Sequence, residues 1–220
     1  MFDFNEMVTK YIERASSHQK QVGRYYPSEI GGCMRKVWYG YNYPQKAQPE
    51  LLKIFEVGNM VHDFVVDVLK SEKNSNVQLL QSEFPLKIEQ PDFLISGRVD
   101  DLVLVKASGK TVVVEVKSTK SIDYVHEASE GHVMQLQLYM HATGIHNGIV
   151  LYVDKNNLQS RQFEVNYDEK QVGEILNRFG QLHQLLSSKL LPIDEAKKDS
   201  AKAWMCRFCD YADKCEKNEA

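Results

Sequence analysis

No apolar run in this sequence approaches the roughly 18 to 20 residues needed to span a membrane. Its opening, Met1-Phe2-Asp3-Phe4-Asn5-Glu6, has neither the basic nor the apolar region of a secretory signal. Both absences point to the cytoplasm, where thiols stay reduced, so the four cysteines are not expected to form disulfides. Internal repeats and low-complexity tracts are missing too. Positive charge is not in surplus: 27 Lys and Arg against 30 Asp and Glu leave a net charge of −3. That balance argues only weakly against a nucleic-acid partner, which needs no more than a local basic groove. Small basic clusters stand at Lys20 to Arg24, Arg35-Lys36 and Lys117 to Lys120. What remains, with 43% hydrophobic and 26% charged residues over 220 positions, is an ordinary globular composition, long enough for one sizeable core with appended pieces.

Patterning along the chain divides it into three parts. Residues 1–50 read as a helical N-terminal region, with one helix over residues 2–22 broken at Tyr25-Tyr26-Pro27. A second, short helix is capped by Ser28 and runs through Cys33, Arg35 and Trp38. Pro44 to Pro49 is a linker. Residues 51–192 form the core, opened by a long amphipathic helix from Leu51 to Leu69 with Ile54, Val57, Val61, Phe64 and Val65 at helical spacing. Strands follow at 77–88 and in a hairpin turning at Ala107-Ser108-Gly109, then a helix over Gly131 to Ala142. Two more strands are expected at Gly148 to Val153 and Gln162 to Val165, and a helix from Asp168 to Leu190. Residues 193–220 are a charged tail holding three cysteines. This order predicts an α/β fold with a mixed central sheet flanked by helices.

The hairpin, GRVDDLVLVKASGKTVVVEVKSTK, is the most informative segment. Side chains two apart on a strand share a face, so Glu115 and Lys117 project together while Val114 and Val116 point away. With Val112 and Val113 beside them, this strand is expected to be buried on both sides. Carboxylates and ammonium groups seldom enter such places unpartnered, because desolvating them is expensive. Asp100, near the start of the neighbouring strand, adds a second carboxylate at the same end. Alternation sends Asp101 to the opposite face, which reads as non-catalytic. Two carboxylates and a lysine on a sheet suit a divalent-metal hydrolytic site; a buried salt bridge that merely stabilises the hairpin is equally compatible with the segment.

Cys206-Arg207-Phe208-Cys209 is a C-x2-C pair, Cys215 follows closely, and Cys33 stands far upstream after Gly31-Gly32. Four thiols in this arrangement suit a site tying the N-terminal region to the tail, with zinc or an iron–sulfur cluster as occupant. Spacing alone points to zinc, although zinc ribbons typically use two close pairs. His62 lies inside the long amphipathic helix, where a lone histidine is usually a core or surface residue; beside two carboxylates it becomes a candidate ligand for a metal such as Mn²⁺. Gln135 and Tyr139 stand at i and i+4, on one helix face, placed to meet a phosphate or to hold Lys117.

Taken in order, His62, Asp100, Glu115-Val116-Lys117, Gln135-x-x-x-Tyr139 and the split cysteines resemble the RecB-like branch of the PD-(D/E)xK nucleases. More narrowly they resemble the CRISPR-associated Cas-four nucleases, which carry a 4Fe–4S cluster. The resemblance spans nearly the whole chain. Gly97-Arg98-Val99-Asp100 lacks the proline of the superfamily's name, as is common in that branch. It implies that Cys33, Cys206, Cys209 and Cys215 hold a 4Fe–4S cluster rather than zinc. It also implies that His62, Asp100, Glu115 and the Val116 carbonyl hold Mg²⁺ or Mn²⁺. Lys117 would then orient or deprotonate the attacking water, with Gln135 and Tyr139 supporting the site and contacting DNA. The activity so implied is a DNA exonuclease working 5′ to 3′ on single-stranded or frayed ends, with a role in spacer acquisition beside the CRISPR integrase complex, and compatible with a homo-oligomer. Competing readings are a DNA-end-binding accessory subunit with little catalysis, a repair nuclease outside CRISPR, and a zinc-stapled restriction endonuclease.

Overall fold

The computed structural model describes residues 2–13 and 20–218. Its elements follow the expected order. Helix α1 (Phe4–Ile12) is capped by Asp3, which accepts from the Glu6 amide; the helix expected over residues 2–22 is shorter, since it ends at Ile12 and residues 20–22 are not helical, while residues 14–19 lie outside the described residues. Strand β1 (Arg24–Tyr25) and a 3₁₀ turn (Pro27–Glu29) precede helix α2 (Met34–Asn42). Here the sequence reading needs correction. The helix expected to start at Ser28 is two pieces, broken at Gly31-Gly32, and Cys33 occupies the N-cap of the second.

Helix α3 (Pro49–Lys70) begins on a proline, whose missing N–H costs nothing in a first turn. Strands β2 (Val77–Glu89), β3 (Leu94–Val105) and β4 (Lys110–Thr119) form a meander. The β3–β4 turn is closed by Gly109 at φ +65°, a conformation a side chain resists. Helix α4 (Glu130–Thr143), capped by Ser129 and ended by left-handed Gly144, crosses to strand β5 (Asn147–Asp154). Strand β6 (Ser160–Asn166), helix α5 (Glu169–Ser187) and the short helices α6 (Glu195–Lys198) and α7 (Ala212–Glu216) complete the chain. Among the described residues no helix is long and apolar enough to cross a membrane.

The sheet runs β1-β3-β4-β5-β6, with β2 paired along the other edge of β3. β4 and β5 are parallel, joined through α4; β2–β3, β3–β4 and β5–β6 are antiparallel. One detail of register shapes everything after it. β3 and β4 pair only from Val105↔Lys110 to Asp101↔Val114, while β1 pairs β3 at Leu94 and Ile95. Between these, residues 96–100 have no strand on that side. β4 runs on through Glu115 to Thr119 paired with β5 alone. The sheet is therefore split open where Asp100 and Glu115 stand.

Its two faces carry separate cores. Val61 and Val65 of α3 pack on Val103, Val112, Val114, Val116 and Val153. The larger core lies opposite, where Leu136, Leu138 and Met140 of α4 meet Val113, Val150, Tyr25, Trp38 and Phe179.

Candidate active site at the β3–β4 split

Alternation decides which side chains meet. Leu102 packs on the α4 side of the sheet and Val103 on the α3 side. Asp100 therefore faces α4, together with Glu115 and Lys117, and Asp101 faces α3. The Asp100 carboxylate uses the split: its Oδ2 accepts the Val116 amide at 2.8 Å, a bond that a continuous β3–β4 ladder would have taken.

Glu115 is completely buried, and Lys117 Nζ forms an ion pair with its Oε1. From α4, Gln135 Oε1 accepts from Lys117 Nζ at 3.4 Å, and Gln135 Nε2 donates to the Tyr139 hydroxyl at 2.6 Å. The amide orientation is consistent, since its oxygen must face the ammonium. Tyr139, already an acceptor, keeps its own proton to donate. Gln137, two residues along, turns away and ties Asn166 O to the Asp168 amide. The structure thus brings Asp100, Glu115, Lys117, Gln135 and Tyr139 together on one face.

His62 stands differently. Its Nε2 lies 3.3 Å from Asp101 Oδ2 and its Nδ1 is 4.0 Å from Glu83 Oε1. Asp100 is close enough to act on it only through its charge. The residue set aside for facing the wrong way is the one His62 touches.

Charge explains what the centre lacks. Burial, then the nearby Asp100 carboxylate, pushes Glu115 up to about 8, and burial also raises Asp100 against the stabilising Val116 N–H. Burial alone would depress Lys117; Glu115 overrides it and holds the ammonium charged. Two carboxylates share one cation, and a second positive charge would let both ionise. Apart from the lysine ion pair, neither Glu115 oxygen has a hydrogen-bond partner among the described residues. No three His, Cys, Asp or Glu side chains among the described residues are gathered tightly enough to enclose an ion as they stand. The donors are nonetheless of the right kind: hard oxygens, half-buried or buried, and short of positive charge. They fit a divalent cation.

Sequence reasoning missed His132. Tyr152, the register neighbour of Lys117 on β5, accepts from the Ser129 amide at 3.0 Å and shares a hydrogen bond of 2.7 Å with His132 Nδ1. Burial, with Lys117 nearby, lowers His132 to about 4, so the ring is neutral. The signal was present: His132, Gln135 and Tyr139 are spaced i, i+3, i+7 along one stripe of α4.

The four cysteines line a single cavity of about 250 Å³ with Gly31, Tyr39 and Trp204, and none is in a disulfide. Around them the chain ends are laced together. Arg178 bonds Glu195 and the Gly32 carbonyl, and Glu195 Oε1 accepts the Met34 amide at the start of α2. Tyr211 stacks on Tyr39 and donates to the Tyr43 carbonyl. Four thiols lining one cavity, with basic Arg35 and Lys36 alongside, are the donor chemistry of a thiolate-bound metal group, though as they stand they do not close around an ion.

The model of the PD-(D/E)XK nuclease superfamily matches residues 15–216, nearly the whole chain. The chain belongs to the PD-(D/E)XK nuclease superfamily. Within that superfamily it is similar to the CRISPR-associated exonuclease Cas4 of Saccharolobus solfataricus, 21% identical over 213 residues and 95% of each protein. The crystal structure of SSO0001 shares the fold with a TM-score of 0.66 at 21% identity, over 97% of this chain and 96% of that one. LHK-Exo in complex with dAMP, the alkaline exonuclease of Laribacter hongkongensis, follows at 0.55 and 14%, over 83% of this chain and 95% of its own.

Proposed function

We propose that this PD-(D/E)XK protein is a Mg²⁺- or Mn²⁺-dependent DNA exonuclease acting at the β3–β4 split. The observation that carries the reading is the charge-deficient pair of half-buried Asp100 and fully buried Glu115, held on one face with Lys117. Asp100, Glu115, the Val116 carbonyl and His62 hold the ion. When bound, it neutralises phosphate oxygens and acidifies water, which an anionic phosphodiester otherwise repels. Lys117 orients the nucleophile and stabilises developing charge from a site dry enough for that charge to count. Gln135 fixes the ammonium and leaves the Tyr139 hydroxyl to donate to the substrate.

The similarity to a Cas4 exonuclease and to an exonuclease that binds dAMP supports DNA ends as substrate. From what the resemblance of the motif order implies, we further assign single-stranded or frayed ends, 5′ to 3′ polarity and a place in CRISPR spacer acquisition. The four cysteines hold a 4Fe–4S cluster that staples the N-terminal region to the tail. An accessory DNA-end-binding subunit without catalysis is the weaker reading, since Asp100, Glu115, Lys117, Gln135 and Tyr139 are all present and share one face.

The test is digestion with Mg²⁺ or Mn²⁺ of linear DNA labelled at one end or the other, beside a covalently closed circle. Loss of single-stranded and frayed linear substrates from the 5′ end, with the circle intact, is expected. Discrete fragments from the circle would instead mark an endonuclease.

A further inference from the structure

We infer that Asp101 is a positioning residue for His62, turning the imidazole so that its other nitrogen is presented to the divalent ion. The inference rests on the assignment of His62 to that ion and adds a residue to which the hairpin pattern gave no role.

Asp101 is fully buried on the α3 face of the sheet. Its strand neighbour on that face is Val103, and Val114 is its register partner on β4; both belong to the valine core under α3. Both carboxylate oxygens lack a hydrogen-bond partner among the described residues, and so does His62 Nε2, which Oδ2 faces at 3.3 Å. Three orphaned polar atoms thus meet in an apolar layer. A carboxylate is expensive in such a place, and an apolar side chain would pack there at no such cost. The acid has a purpose only through the ring it faces.

That purpose follows from imidazole chemistry. A neutral ring with its proton on Nε2, held toward Asp101, has its lone pair on Nδ1. Nδ1 is 4.0 Å from Glu83 Oε1, too far for a hydrogen bond, and is left to act as a ligand. Carboxylates behind ligating histidines fix tautomer and ring orientation and raise ligand basicity. A plain structural ion pair, tying α3 to β3, is the competing account. It requires the acid for stability, whereas positioning requires it for metal affinity.

Mn²⁺ titration by calorimetry on the full chain separates them, using wild type, His62→Ala, Asp101→Asn and the double variant. His62→Ala is expected to weaken binding, and Asp101→Asn to weaken it by about 10- to 100-fold. In the His62→Ala background Asp101→Asn should then make no further difference, because its effect passes through the ring. An unchanged affinity in Asp101→Asn overturns the inference while leaving the His62 assignment standing. An equal loss in both backgrounds also overturns it, since Asp101 would then act by its own charge or as a ligand. Wild-type affinity in His62→Ala removes the His62 assignment and this inference together. Should Asp101→Asn fold poorly, Asp101→Leu suits the valine layer. It should lose the same metal affinity while melting no lower than wild type; a lower melting point with unchanged affinity would establish the structural pair instead.

Discussion

Each acidic or basic group of the β3–β4 centre is fixed by a regular element, whereas the four cysteines hang from caps and short turns. Glu115 and Lys117 sit on a central strand, and Gln135 and Tyr139 on one face of α4. Cys33 is an N-cap, Cys206 lies in a 3₁₀ turn, Cys209 ends that turn, and Cys215 belongs to a helix of five residues. A sheet sets side-chain positions through backbone hydrogen bonds that exist before any ligand arrives. Short turns cannot do this, and they borrow their rigidity from whatever they bind. The first region should therefore lose function without losing structure, and the second should do the reverse. The two approach each other at the start of the helix carrying Gln135, where a Cβ on Gly31, two residues before Cys33, would come within 2.4 Å of Gly131 Cα.

The comparison can be broken in several ways. Lys117→Ala should cost about 10³-fold or more in cleavage rate with DNA binding and melting temperature nearly unchanged, measured by single-turnover assay beside thermal denaturation. Cys33→Ser should do the opposite. In the proposed cluster Cys33 would close a loop of about 170 residues, and opening that tether should remove on the order of 3–5 kcal/mol. That corresponds to a melting point lower by about 10 °C, with Mn²⁺ affinity at the acidic centre kept within a few-fold. Gly131→Ala tests the point of contact. Alanine favours helices, but here its Cβ would lie 2.9 Å from Gly31 Cα, so both regions should suffer. A loss of about 1–3 kcal/mol in stability and a measurable drop in cleavage are expected, read on the same preparation.

Acidity sharpens the contrast further. Glu115 is held well above its ordinary value, so the folded metal-free protein keeps a proton that the unfolded chain releases. Its contribution to stability is full below pH 4.5 and is lost as pH rises through about 8. A divalent cation must displace that proton. Mn²⁺ affinity should rise by about tenfold per pH unit up to that value and then level, with one proton released, by calorimetry in buffers of different ionisation enthalpy. The smallest effect is expected of Tyr139→Phe, which removes a hydroxyl but keeps the ring. Cleavage should slow by about 3- to 10-fold, the worth of one hydrogen bond, with Gln135→Ala showing whether the two act together.

Local pattern made much of this legible. The two valine runs and Ala107-Ser108-Gly109 specify the hairpin, period two separates Asp100 from Asp101, and i, i+4 spacing aligns Gln135 with Tyr139. The unread parts are all long-range. Nothing local shows that Arg24 and Tyr25 pair with β3 and leave residues 96–100 open, because two residues carry no periodicity. The break at Gly31-Gly32 follows from the close crossing over Gly131, a contact a hundred residues away in sequence. His62 meets Asp101 only because α3 lies on that face of the sheet. Tyr152 meets His132 only because β5 runs parallel to β4.

Most direct is a cleavage assay of end-labelled single-stranded DNA with Mn²⁺, comparing wild type with Glu115→Gln, which keeps the shape of the side chain and removes its charge. The account predicts rapid degradation by wild type, stopped by chelation, and none by a folded Glu115→Gln that still binds the DNA. Undiminished degradation by Glu115→Gln would contradict it and move the chemistry away from the β3–β4 split.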